Sequence, residues 1–279
     1  MSETNPQVAV DEHFDRRSDY WRDVYGGDSA ESLAYRERME TALAWVDRLN
    51  LPAGASALDV GCGAGLMTVE LAARGMRVTA CDSSPEMVRQ AQQTAEARGL
   101  AATVQFVRAD AGELPFRSAS AGLVVALGLI PWLAEPQRAV NEMARVVEPG
   151  GWLILTADNA LRLNVLTDPS ENQLLAPLRP VYRALERRRR HGAAPATARY
   201  YRHRPSQVRQ MLRAAGFQPK LETTVGFGPF TFMGRHLLSD RRSIALTRRL
   251  EALAERHPRL RRHGWHFLIS AQRVGERSD

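Results

Sequence analysis

Three glycines and three carboxylates in the middle of the chain form the pattern best suited to hold a nucleoside. Asp59-Val60-Gly61-Cys62-Gly63-Ala64-Gly65 follows an apolar run and opens a helical pattern. Glycines at such a turn let the backbone bend sharply and approach a ligand, while the helix that follows offers amide donors at its start. The dinucleotide fingerprint G-x-G-x-x-G requires a glycine at position 66, where this chain has Leu66. Asp82 ends the next apolar run 21 positions after Gly61, a separation that places a carboxylate beside ribose hydroxyls at the edge of a neighbouring strand. Asp110-Ala111 ends the third run. Acids at the carboxyl ends of three successive parallel strands define one cleft.

The elements that must position these residues are legible as alternating apolar runs and helical patterns, which predict an α/β fold with a parallel sheet. The candidate strands are Ala57–Val60, Arg77–Cys81, Val104–Arg108, Gly122–Leu127 and Trp152–Thr156, with Leu221–Val225 and Trp265–Ala271 as later ones. Ser84 caps a helix that has Pro85 at its first position, and Pro136 opens another with Ala139, Val140, Met143 and Val147 on one face. Pro149-Gly150-Gly151 supplies a turn into the next strand. Tyr35 to Leu49 reads as an amphipathic helix, and Ser206 to Ala215 as another stopped by Gly216. The expected organisation is an N-terminal helical lid over residues 1–55, a core over 56–157, a helical insertion over 158–205 and a completing part over 206–279. Cys62 and Cys81 read as small buried thiols.

Leu58-Asp59-Val60-Gly61-Cys62-Gly63-Ala64-Gly65, Cys81-Asp82-Ser83-Ser84-Pro85-Glu86-Met87, Asp110-Ala111-Gly112-Glu113-Leu114-Pro115-Phe116 and Arg145-Val146-Val147-Glu148-Pro149-Gly150-Gly151 together resemble a class I S-adenosylmethionine-dependent methyltransferase. The similarity is to the small-molecule type that includes the ubiquinone- and menaquinone-pathway enzymes, and it covers about residues 56–156. The resemblance implies a Rossmann-like, mostly parallel seven-stranded sheet with helices on both faces, ending in an antiparallel hairpin. It also implies that Gly61, Gly63 and Gly65, with Asp59, hold the methionine part of the cofactor. Asp82 takes the ribose hydroxyls, Ser83 lies beside the adenosine, Asp110 and Ala111 meet the adenine, and Leu127 lines the sulfonium. Arg36 stands 23 positions before Asp59, where some relatives place an arginine on the cofactor carboxylate. Many relatives carry a histidine just past the fourth strand, where this chain has Pro131-Trp132.

A sulfonium methyl is already activated, so displacement needs placement and desolvation more than a general base, and no catalytic residue is assigned. His13, His203, His236, Tyr200 and Tyr201 are the proton-moving side chains outside the core, although a lone histidine in a polar segment is usually solvated. Tyr20, Trp21 and Tyr25 are spaced either to line one side of a lid helix or to pack onto the sheet, and Trp132 is a further candidate for contact with the acceptor. Phe227 and Phe230, with Phe232 and Met233, form either an apolar acceptor wall or a small core. The absence of a D/N-P-P-Y signature after the fourth strand lowers the odds of nucleobase targets. The expected acceptor is a small lipophilic or anionic metabolite methylated at oxygen or carbon. A silent cofactor-binding scaffold and a tRNA-modifying enzyme are the alternatives.

Charge is uneven: 14 basic and 21 acidic residues in 1–155, against 24 and 10 in 156–279, with Lys220 the one lysine. The basic half reads as a solvated arginine surface or as one that attracts an anionic partner, a membrane face included. The run Arg187 to Arg190 has no interleaved aromatics, so base stacking is not indicated. The longest apolar stretch, 121–134, is interrupted by Gly128 and Pro131 and is too short to span a bilayer, which takes about 20 residues. The N-terminus lacks a basic, apolar leader pattern, which makes the cytoplasm the expected location. No metal site is expected.

Overall fold

The computed structural model describes residues 6–163, 168, 177, 180, 199–232 and 235–275. Most of the expected insertion, the run Arg187 to Arg190 and Met233 lie outside the described residues.

Helices α1 (Pro6–Arg16), α2 (Ser18–Asp23) and α3 (Ala30–Arg48) precede a strand–helix alternation. That alternation runs β1 (Ser56–Val60), α4 (Leu66–Ala73), β2 (Arg77–Asp82), α5 (Pro85–Ala97), β3 (Val104–Arg108), β4 (Ala121–Ala126), α6 (Pro136–Val146) and β5 (Val147–Asp158). The chain continues through α7 (Pro205–Ala214), β6 (Phe217–Val225), a short hairpin of β7 (Thr231–Phe232) and β8 (Arg235–His236), α8 (Asp240–Arg256) and β9 (His266–Arg273). The seven-stranded sheet has the order β3-β2-β1-β4-β5-β9-β6, with β1 to β5 parallel and β9 antiparallel to both neighbours. This is the Rossmann-like sheet expected from the sequence, and its strand order reverses between β1 and β4, the point where a crevice opens at the carboxyl ends.

Both faces of the sheet are covered, so its central strands are apolar on both sides. Along β4, Leu123 and Val125 pack with Leu43, Val46, Leu71 and Val78, whereas Val124 and Ala126 pack with Val140, Met143 and Leu212. Alternate pointing of side chains produces this division. Each such fully buried Val or Leu contributes about 1.5–3 kcal/mol through removal of apolar surface from water. Ser84 starts α5 as read from the sequence: its Oγ accepts the Met87 amide at 3.0 Å, with Pro85 at the first position.

Two boundaries differ from the sequence expectation. Pro149-Gly150-Gly151 does not precede β5 but lies within it. The register against β4 jumps from Ala121↔Val147 to Leu123↔Trp152, and Gly150 takes φ +80° to make the excursion. The stretch between β6 and β9, left without assignment by its lack of periodicity, holds the β7–β8 hairpin and α8.

Gly65 adopts φ +80°, and a Cβ added there would lie 2.8 Å from the Ala91 Cα on α5. Gly65→Ala is therefore expected to cost about 1–3 kcal/mol in a urea melt. Gly54→Ala, at φ +73° with no atom within 4 Å, is expected to lose less.

Candidate functional site

The carboxyl ends of β1, β2 and β4, together with α1 and α3, enclose a cavity of about 1220 Å³ measured out to its mouth. Gly61 and Gly63 form its backbone wall at φ +70° and +52°, the left-handed region where glycine is unstrained. The Gly61 and Cys62 amides both donate to the Cys81 carbonyl, at 2.8 and 3.0 Å, which ties the turn to the end of β2. Asp82 completes the tie: its two oxygens accept the Gly63 and Ser84 amides, each at 3.0 Å.

Burial raises the Asp82 carboxyl to about 6, even though the Ser84 and Gly63 amides favour its anion. Asp59, enclosed behind the turn, is pushed up by burial to about 7 despite a 2.6 Å hydrogen bond from the Thr68 hydroxyl. Asp110 stands at the third edge, where its Oδ1 accepts the Gly112 amide at 2.7 Å. The three acids and Ala111, Ser83 and Leu127 all line this one cavity.

Helix α1 closes the β2 side. Asp11 accepts a hydrogen bond from the Ser83 hydroxyl at 2.7 Å and Asp15 one from Ser84 at 2.5 Å, while Gln7 donates to Ser83 at 3.0 Å. Beyond Leu127 the wall turns aromatic. Trp132 packs 5.1 Å from Phe14 and 5.0 Å from Tyr200, both edge-on, and Trp21 and Tyr25 line the same space. Edge-to-face pairs of this kind fix ring orientation as well as burying area.

The far end of the cavity is polar. Asp158, at the end of β5, accepts from Trp265 Nε1 at 2.6 Å, His266 Nδ1 at 3.3 Å, Arg162 Nη1 at 3.5 Å and the Tyr200 hydroxyl. Burial works against this anion, yet His266, Arg162 and Tyr200 together hold its carboxyl well below the usual carboxylate range. Burial raises the Tyr200 phenol and lowers the His266 imidazole, so near neutrality both are uncharged.

The placement of Arg36 departs from the sequence expectation: its guanidinium donates to the Tyr25 and Gly27 carbonyls, outside the cavity lining. Arg38 lies in the cavity instead, 5% exposed, with Nη2 donating to the Tyr25 hydroxyl at 2.5 Å and its Nε without a hydrogen-bond partner. Gly65 packs on α5 rather than on the cavity. Tyr20 lies under the Arg17 guanidinium at 4.3 Å and is not part of the lining. Phe227 is buried beside Glu37 and Glu251, and Phe230 belongs to the β7–β8 hairpin, so neither walls this cavity. Of the proton-moving side chains, Tyr200 reaches the cavity; His13 lies tilted against Trp132 at 4.9 Å between ring centroids, its imidazole lowered by burial and by Arg17 and Arg16. Arg38, Asp158 and His266 were missed by sequence reasoning. Among the described residues no cluster of three or more His, Cys, Asp or Glu is arranged for a metal ion, and no helix is long and apolar enough to cross a membrane.

Residues 58–155 match the family described as "Methyltransferase domain". The chain is similar to the tRNA 5-carboxymethoxyuridine methyltransferase of Escherichia coli, 26% identical over 215 residues that cover 75% of this chain and 76% of the relative. It is 35% identical over 115 residues to a ubiquinone biosynthesis O-methyltransferase of Xanthomonas oryzae, covering 40% of this chain and 46% of that one. The solved magnesium protoporphyrin IX methyltransferase from Synechocystis with bound SAH shares the fold, with a TM-score of 0.63 at 21% identity over 96% of this chain and 100% of that one.

Asp158 carries the prediction here. Its folded-state carboxyl lies below the unfolded value of about 3.9, so its contribution is full above that pH and disappears as pH falls through the folded value. Asp158→Asn is expected to lower unfolding free energy at pH 7 by about 3–5 kcal/mol, because it removes the buried negative charge that Trp265, His266 and Tyr200 share and replaces one acceptor oxygen with a donor. In urea melts the gap between variant and parent should narrow steadily below about pH 4.

Proposed function

We propose that this chain is a class I S-adenosylmethionine-dependent methyltransferase that methylates an oxygen or carbon of a small, flat, lipophilic or anionic metabolite held in the aromatic half of the cavity. Two observations fit the residues to the cofactor. A Cβ at Gly63 would meet nothing within 4 Å, which leaves open space against a backbone wall. The buried Arg38 keeps a polar atom without a partner, suited to an anionic group. Under this reading Asp82 takes the ribose hydroxyls, Ser83, Asp110 and Ala111 hold the adenine side, and Gly61 and Gly63 receive the methionyl chain. Asp59 lies beneath the turn and supports it. Arg38, rather than Arg36, takes the carboxylate. Residues 1–55 form the lid, with α1 fastened over Ser83 and Ser84.

When bound, the cofactor supplies a sulfonium-activated methyl group. The chain's own part is to exclude water and to orient the acceptor. The aromatic wall of Phe14, Trp21, Trp132 and Tyr200 beside Leu127 is the observation that carries the acceptor reading. A flat apolar body suits that wall. The Tyr200 proton is committed to Asp158, so its oxygen lone pair is left to accept a hydroxyl hydrogen from the acceptor. Labelled S-adenosylmethionine, incubated with the protein and either a small-metabolite extract or bulk tRNA, tests this. Label in the metabolite fraction supports the reading; label confined to tRNA overturns it.

Calorimetry with S-adenosylhomocysteine checks the cofactor assignments. Asp82→Ala is expected to weaken binding by about 1–3 kcal/mol through loss of hydrogen bonds to a charged acceptor. Arg38→Gln should weaken it about tenfold or more, and Arg36→Gln should leave it unchanged. Because Asp82 must be ionised to accept two hydroxyls, affinity should rise as pH climbs through about 6 and then level off. Asp82→Asn should remove that step.

A further inference from the structure

A second cleft lies on the other side of the turn that follows β5. Asp158 faces the main cavity, whereas Leu161 lines the cleft. Two separate elements bring arginines to it: Arg204 and Arg209 from the start of α7, and Arg261 and Arg262 from the single turn Leu260–His263 that precedes β9. Arg209 is paired with Glu222 at 3.0 Å. Among the described residues no carboxylate lies within ion-pair distance of Arg204, Arg261 or Arg262, so the cleft carries an uncompensated positive charge.

The backbone that presents these side chains is held from beneath by buried groups. Fully buried Asn159 donates through Nδ2 to the Arg262 carbonyl at 2.8 Å and to the Gly264 carbonyl at 2.9 Å. Thr224, also buried, donates to the Arg261 carbonyl and accepts the Gly264 amide at 2.9 Å. His263 Nδ1 meets the Leu161 carbonyl at 2.7 Å. The arginine turn, the β5 exit and β6 are thus one fastened unit rather than a loose surface loop. At the opposite wall, α7 begins at Pro205 with no acid in its first turn, so the positive end of the helix dipole is uncancelled beside Ser206. Leu161, Pro258 and Phe267 give the cleft an apolar strip next to its charge.

We infer that this cleft is a binding site for a phosphoryl group carried on an organic ligand. Guanidinium forks match phosphate oxygens in a bidentate manner, which a lone point charge does not. Multiple oxygens are needed to satisfy three arginines that line one cleft, and the neighbouring apolar strip accommodates the carbon part of such a ligand. The site is separate from the cofactor cavity, and it stands or falls independently of the acceptor proposed above.

Inorganic pyrophosphate at fixed ionic strength is the probe, read by calorimetry and by thermal melting of the full chain. Parent protein is expected to bind it and to melt at a higher temperature in its presence. Arg261→Gln/Arg262→Gln should weaken that binding at least tenfold, with S-adenosylhomocysteine affinity and the melt without pyrophosphate unchanged. Arg248→Gln/Arg249→Gln, which removes the same charge from exposed positions on α8, should bind pyrophosphate as the parent does. No binding to the parent, or equal loss in both double variants, overturns the site. Octyl phosphate binding more tightly than glycerol phosphate would identify a lipid-type ligand, and the reverse order a hydrophilic one; either order supports a phosphoryl site.

Discussion

One carboxylate ties the glycine turn of this molecule to the end of β2. Asp82 accepts the amide of Gly63 from the turn after β1 and the amide of Ser84 from its own turn after β2. The Gly61 and Cys62 amides on the Cys81 carbonyl already join the two turns, and Asp82 extends that join to Gly63 and Ser84. With the tie in place, the glycine turn cannot drift from the β2 edge, and Ser83 and Ser84 are held where the acids of α1 reach them. The arrangement carries a cost, since burial disfavours the very charge that makes the bonds strong. Two backbone donors offset that cost in part, and a ligand supplying further donors would offset more of it.

The two ends of the cavity are built by different means. At the glycine-turn end, the turn itself, the exits of β1 and β2 and the Asp110-Ala111 edge fall close in sequence, between Asp59 and Ala111, with α1 laid over them. The far end is assembled at long range. Trp265 reaches Asp158 across 107 residues, and Tyr200 across 42. Four donors around one buried carboxylate are a network whose parts depend on one another, so its rigidity depends on all of them being present.

This difference explains what the sequence disclosed. Turn glycines and strand-end acids announce themselves by spacing, because the parallel sheet fixes how far apart strand ends must fall. Arg36 and Arg38 illustrate the opposite case. Two positions apart on an α-helix turn the side chain by about 200°, so counting back from Asp59 finds the helix but not the face. The Asp158 network has little local signature, since Trp265 and His266 come from the start of β9, Tyr200 from the far end of the expected insertion, and only Arg162 from nearby in sequence. Phe227 and Phe230 read as an apolar wall by composition, and only tertiary packing distinguishes a wall of one cavity from the core beneath another surface. Gly65 belongs to the same class: its spacing matches its neighbours in the turn, but its contact is with Ala91.

The antiparallel strand β9 sits between β5 and β6, bonded to both. Its position sets an order during translation. Residues 59–111 are synthesised well before Trp265 and His266 emerge from the ribosome, and Asp158 must wait for them. Until β9 pairs, β5 lacks its antiparallel neighbour and β6 has no strand to join in the sheet.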